Sequence, residues 1–247
     1  MKRLLNPLPL LGLILGLLAS TVSAQSQTKT LILPAGAENT EGSDASNDLL
    51  GTSNTRIQQF YGLEAFPSLT PLIQIKSVAF RVNGDNDANV HQTFDRIKVV
   101  LSTTHGANQL SGLFSWNTGP DAVVVFDGPI TFNAPPSSGP ALFNIIIPFT
   151  KPFWYDSHAG NLLLDVSNIG DSPNNLGNLD AFYPTSWPVI LGGTSSDVSF
   201  TRVTGTIATQ FTYVAVPEPS VLGLGLVACF GCLAIKGVEK GRKHVAA

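Results

Sequence analysis

From Leu31 to Tyr213 no window of this chain repeats its apolar residues at the helical period of 3.6. Short runs of β-branched and aromatic residues recur instead, broken every ten to fifteen positions by Gly, Pro, Asn or Asp. Ile73 to Val82 reads as a strand ended by the turn Asn83-Gly84-Asp85. Ile97, Val99 and Leu101 alternate on one face of a second strand, and Phe143, Ile145, Ile147 and Phe149 on one face of a third. Leu162, Leu164 and Val166 follow, with Asn161 and Asn168 as punctuation. The last strand is expected to be the longest, with Val203, Ile207, Phe211 and Tyr213 on one face and Thr204, Thr206, Gln210 and Thr212 on the other. Glu38 to Ser53, rich in Ser, Asn, Gly and Asp, reads as loop. Strands in series without helices predict an all-β fold, an antiparallel β-sandwich of jelly-roll type, over residues 25–214.

The two ends of the chain have a different character. Lys2 and Arg3 precede an apolar stretch from Leu8 to Leu18 and the small-residue site Val22-Ser23-Ala24. That order predicts a signal peptide over residues 1–24, cut before Gln25, with an uncleaved anchor helix as the competing reading. At the other end Val216-Pro217-Glu218-Pro219-Ser220 leads into an apolar run from Val221 to Ile235, and Lys236, Lys240, Arg242 and Lys243 follow. A helix of about 15 residues is roughly 22 Å long against a hydrocarbon core of ~30 Å, so length alone does not decide whether it spans. Pro217 and Pro219 mark its start, and the four cations sit where the positive-inside rule holds a helix end in the cytoplasm. A membrane helix over residues 220–235 is therefore expected, with the main domain outside the cytoplasm. A buried core helix is the alternative, but the run has no polar face.

Without those ends the chain keeps eight basic residues against fifteen acidic ones, a formal charge of −7. Such a surface disfavours nucleic acid, anionic membranes and strongly anionic polysaccharides unless a cation bridges them. Cys229 and Cys232 both lie in the apolar run, so the mature domain has neither disulfide nor thiol chemistry.

The tripeptide, apolar span and basic cluster over residues 215–243 resemble the PEP-CTERM sorting signal of Gram-negative bacteria that make exopolysaccharide. The resemblance covers the C-terminal eighth of the chain. It implies processing by an exosortase near Pro217-Glu218-Pro219, so that the protein is anchored in the inner membrane and then released to the cell surface or matrix. Arg56-Ile57-Gln58-Gln59-Phe60-Tyr61, Ile75-Lys76-Ser77-Val78-Ala79-Phe80-Arg81, and Phe153-Trp154-Tyr155-Asp156 ahead of Gly160-Asn161-Leu162-Leu163-Leu164-Asp165-Val166 resemble a β-domain that recurs in secreted bacterial PEP-CTERM proteins. That resemblance spans most of the ectodomain, supports the β fold and implies no reaction.

Motifs of catalysis are missing from the sequence. His91, His105 and His158 are scattered, no Gly-x-Ser-x-Gly elbow occurs, and Gly192-Gly193-Thr194 lacks the lysine of a phosphate loop. Paired glycosidase carboxylates cannot be picked out of fifteen acids. Asp85-Asn86-Asp87-Ala88-Asn89 matches the first half of a calcium loop, but Val90 replaces the turn glycine and Arg96 the closing glutamate. An EF-hand is excluded. A looser calcium site drawing on Asp85, Asp87 and Asp95 is the one cofactor left open, and the plainer reading is a solvated hairpin turn. Phe182-Tyr183-Pro184-Thr185-Ser186-Trp187-Pro188 places Tyr183 and Trp187 in a proline-braced loop, either as a platform for sugar rings or as core.

The expectation is a non-catalytic exported protein, processed by an exosortase and associated with exopolysaccharide or another cell-surface polymer. The alternative is a carbohydrate-binding module with Trp187 and Tyr183 as its platform. Behind both stands a secreted glycan hydrolase.

Overall fold

A computed structural model describes residues 27–46, 53–66, 72–84, 90–104, 110–136, 139–170, 178–183, 189–203 and 205–216. The expected signal peptide and the tail from Pro217 onward lie outside these. Among the described residues no helix is long and apolar enough to cross a membrane, and the expected span 220–235 is not among them.

The described chain is all-β and antiparallel. In chain order the strands are β1 (Thr28–Leu33), β2 (Asp44–Ser46), β3 (Thr55–Tyr61), β4 (Leu72–Phe80), β5 (Val90–Thr104), β6 (Val123–Ala134), β7 (Ile145–Asp156), β8 (Asn161–Ile169), β9 (Leu179–Phe182), β10 (Val189–Gly193), β11 (Ser199–Val203), β12 (Thr206–Ile207) and β13 (Thr209–Ala215). A four-residue helix, α1 (Phe114–Asn117), lies between β5 and β6, and a single 3-10 turn spans Leu63–Ala65.

The strands form a four-stranded sheet ordered β1-β13-β4-β7, a six-stranded sheet ordered β11-β10-β3-β8-β5-β6 and a three-stranded sheet ordered β12-β9-β2. The two larger sheets share one apolar core. Alternation places Ile57 and Tyr61 of β3, Val99 and Leu101 of β5 and Leu162, Leu164 and Val166 of β8 in it, together with Ile75, Val78, Ile145, Ile147, Phe153 and Phe211 from the four-stranded sheet. Aromatic contacts cross between the layers: Tyr61 meets Phe211 edge-on at 5.4 Å, and Phe66 meets Tyr155 at 5.0 Å. Along one side Thr150 of β7 donates its hydroxyl to the carbonyl of Val125 on β6, joining the neighbouring edges of the two layers.

Several sequence expectations are corrected. The long final strand is three strands in three sheets, because the ladder breaks around Gly205 and Ala208. There the Ile207 amide is taken by the side chain of Gln59 and the Ala208 amide by the carbonyl of Asp180. Asn161 opens β8 as expected, whereas Asn168 lies within the strand. Asn168 pairs with both Thr55 and Ile97, and Asn161 Oδ1 accepts the amide of Leu63. Phe143 precedes its strand, Val82 forms only an isolated bridge beyond β4, and the expected loop 38–53 contains β2.

Candidate functional site

Strand β8 is buried on both faces. Leu162, Leu164 and Val166 enter the core, while Leu163, Asp165 and Ser167 on the opposite face are covered as well. Part of that cover is the connection from β5 to β6, which carries α1. The polar groups beneath it are joined in one network. Asp165 accepts Arg56 Nε at 3.0 Å and Nη2 at 2.6 Å, and Gln58 Nε2 at 2.8 Å. Gln58 Nε2 also reaches the carbonyl of Phe114 at 3.1 Å, and its Oε1 accepts Asn117 Nδ2 at 2.9 Å. Asn117 further donates to the carbonyls of Ser111 and Leu113, and its Oδ1 accepts the Ser111 amide at 2.7 Å. Every polar atom of that amide is therefore occupied, which locks α1 to the sheet. The Arg56 guanidinium lies 4.4 Å from the centre of the buried Phe114 ring.

From the other side the β10–β11 hairpin caps α1. Leu113, the residue before the helix, supplies no side-chain cap. Asp197 does so across the fold, its Oδ1 accepting the Ser115 amide at 2.8 Å, its Oδ2 the Ser115 hydroxyl at 2.5 Å, and its backbone carbonyl the Phe114 amide at 2.9 Å. Those bonds from Ser115 hold the Asp197 carboxyl below the usual aspartate range.

On this clamped turn stands Trp116, 77% exposed. Beside it opens a cleft of about 340 Å³ lined by Phe60, Thr103, Thr104, Leu110, Ser111, Trp116, Asn117, Thr118, Gly119 and Pro120. Gly119 is required there, since a Cβ would collide with the carbonyl oxygen of Thr103. Its amide donates to Ser102 Oγ at 3.1 Å.

A second buried polar cluster serves the fold. Arg81 donates to Asp180 Oδ2 through Nε at 2.7 Å and to the carbonyls of Ala37 and Thr40 at 2.6 Å each, while Asp180 Oδ1 accepts the Gly42 amide. Burial pushes the Asp180 carboxyl above its ordinary range, against the pull of Arg81. The cluster ties the 37–42 loop and β9 to the end of β4.

Of the residues expected from sequence to form sites, Tyr183, Asp95 and Val216 lie among the described residues. Tyr183, just past β9, is 55% exposed and is held at its backbone by Ser43 Oγ, but it does not line the Trp116 cleft. Its expected partner Trp187 lies outside the described residues. Asp95 is exposed at an irregularity in the β5–β6 ladder, while Asp85 and Asp87 lie outside the described residues. Among the described residues no three His, Cys, Asp or Glu side chains are grouped to hold a metal. Of the sorting residues only Val216 is described, its amide bonded to the carbonyl of Leu72. Pro217, Glu218, Pro219, Ser220, Lys236, Lys240, Arg242 and Lys243 lie beyond.

Sequence reasoning missed Trp116. The local signal was Ser115-Trp116-Asn117-Thr118-Gly119-Pro120, a tryptophan embedded among turn formers where a core residue would sit in an apolar run. No family model, no curated protein and no solved structure matches the chain.

Proposed function

We propose that this chain is a non-catalytic exported protein of the cell surface or extracellular matrix, built on a jelly-roll-like β-sandwich and associated with exopolysaccharide. In this reading residues 1–24 direct export, the helix 220–235 with Lys236, Lys240, Arg242 and Lys243 holds the chain in the inner membrane, and an exosortase acts near Pro217-Glu218-Pro219. The observation that carries the non-catalytic role is the use made of the buried carboxylates. Asp165 and Asp180 are both committed to hydrogen bonds that hold strands, loops and α1 in place, the arrangement of structural rather than reactive acids. A lectin-like module is the second reading, favoured by the exposed ring of Tyr183 in the loop after β9.

Two measurements test the proposal. Intact mass of the protein recovered from the medium of its native host is expected to show loss of Val221 to Lys243, and a strain lacking the exosortase is expected to retain that tail in the inner membrane. Secreted protein that keeps the tail would overturn the sorting. Co-sedimentation with the host's own exopolysaccharide is expected for the released protein, and its absence would overturn the matrix association.

A further inference from the structure

We infer that the cleft beside Trp116 is a subsite for one neutral sugar ring of a glycan. The inference rests on the matrix reading only for the source of that glycan; the chemistry of the ligand is argued from the cleft. None of the described residues that line it carries a charge. An ionic ligand would leave water without a counter-charge, which is a poor exchange in a half-enclosed space. The lining combines two kinds of surface. Trp116, Phe60, Leu110 and Pro120 are apolar, while Thr103, Thr104, Ser111 and Thr118 bring hydroxyl groups. A purely apolar ligand would desolvate those polar groups without replacing their hydrogen bonds. A pyranose has the matching duality, with C–H groups on its faces and hydroxyls around its edge.

Size and rigidity agree with that ligand. At about 340 Å³ the cleft lies near the lower end of the range for small-ligand sites, which suits a sugar unit or two rather than an enclosed polymer. The indole is carried by a turn already fixed by Gln58, Asn117 and Asp197, so little backbone ordering remains to oppose binding. The other described exposed tryptophan, Trp154 at 54%, stands on the open face of β7 and does not border this cleft. It is an internal control.

The experiment uses Gln27–Val216, which contains every described strand pairing and the whole described core. This segment, with Trp116→Ala and Trp154→Ala variants, is titrated calorimetrically against neutral tetrasaccharides of glucose, mannose, galactose and N-acetylglucosamine. Saturable binding to at least one of them is expected, weakened about tenfold or more by Trp116→Ala, unchanged by Trp154→Ala, and insensitive to salt between about 0.05 and 0.5 M. Thermal melting shows whether Trp116→Ala is folded, and Trp116→Phe, which keeps a ring, is expected to retain most of the affinity. No binding to any of the four, equal binding by Trp116→Ala, or binding lost with added salt would each overturn the subsite. Co-sedimentation with the host's exopolysaccharide separates this inference from the function proposed above. If wild type and Trp116→Ala sediment equally, the subsite falls and the matrix role stands; if tetrasaccharide binds through Trp116 but no protein sediments, the matrix role falls and the subsite stands.

Discussion

Asp165 and Arg56 stand side by side on neighbouring strands, the carboxylate taking Nε at 3.0 Å and Nη2 at 2.6 Å, on the face of the six-stranded sheet turned away from the core. Gln58 shares the same carboxylate and passes its order to Asn117 on α1. Asp165→Ala would strand a guanidinium and an amide beneath the β5–β6 connection. A loss of about 3 kcal/mol in urea unfolding is expected. A change within experimental scatter would show that the network does not hold α1.

Asp197 makes the position of α1 dependent on pH. Its folded carboxyl titrates below the ordinary 3.8 because Ser115 donates to the ionised form. The contribution is therefore complete above the unfolded aspartate value and is lost as pH falls through the lower folded value. In a chain whose other tryptophans are replaced by phenylalanine, Trp116 emission is expected to shift toward that of free indole as pH falls below 3.8. Asp197→Asn, which keeps an acceptor but no charge, is expected to weaken the cap and flatten that transition. An identical transition in the variant would assign it to another group.

Tyr61 lies between the layers, its hydroxyl donating to Thr209 Oγ1 at 2.8 Å and accepting Gln59 Nε2 at 2.5 Å. Burial pushes this phenol, and that of Tyr155, well above the ordinary 10.0. The unfolded chain releases these protons near 10 and the folded one does not, so stability falls as pH rises above that value. Alkaline titration followed at the tyrosinate band is expected to show Tyr61 and Tyr155 ionising only with unfolding. Tyr61→Phe is expected to cost about 1–2 kcal/mol, through Gln59 and Thr209 left with fewer partners.

Two glycines separate backbone crowding from glycine content. A Cβ at Gly119 meets the main-chain carbonyl of Thr103, which cannot rotate away, whereas one at Gly128 meets nothing within 4 Å. Gly119→Ala is expected to lose about 2–3 kcal/mol or more and to distort the cleft. Gly128→Ala is expected to be close to neutral. Equal melting temperatures for the two variants would contradict the close approach of Gly119 to β5.

The β character of the chain was legible because period-two alternation and turn residues act locally. Ile97, Val99 and Leu101 enter the core on the side that alternation assigns them, and the turn before Asn161 leads into a buried strand with Gly160 at positive φ. The burial of Gln58 and Asp165 had no such local signal. A polar side chain in a strand normally marks the solvent face, and here that face is covered by a connection whose helix, Phe114–Asn117, lies 48 residues or more from Asp165 and 56 or more from Gln58 in sequence. The split of the final strand was hidden likewise, since its breaks are made by Gln59 and Asp180, partners distant along the chain.

By itself the sequence determined the all-β, antiparallel class and the apolar residues that build its core, because alternation, β-branching and turn propensity depend only on near neighbours. Only the tertiary structure decided which polar groups are buried, where Trp116 stands and which side chains share a cleft with it. Those depend on Arg56, Gln58, Asn117, Asp165 and Asp197 meeting across long loops, and no local rule encodes that meeting.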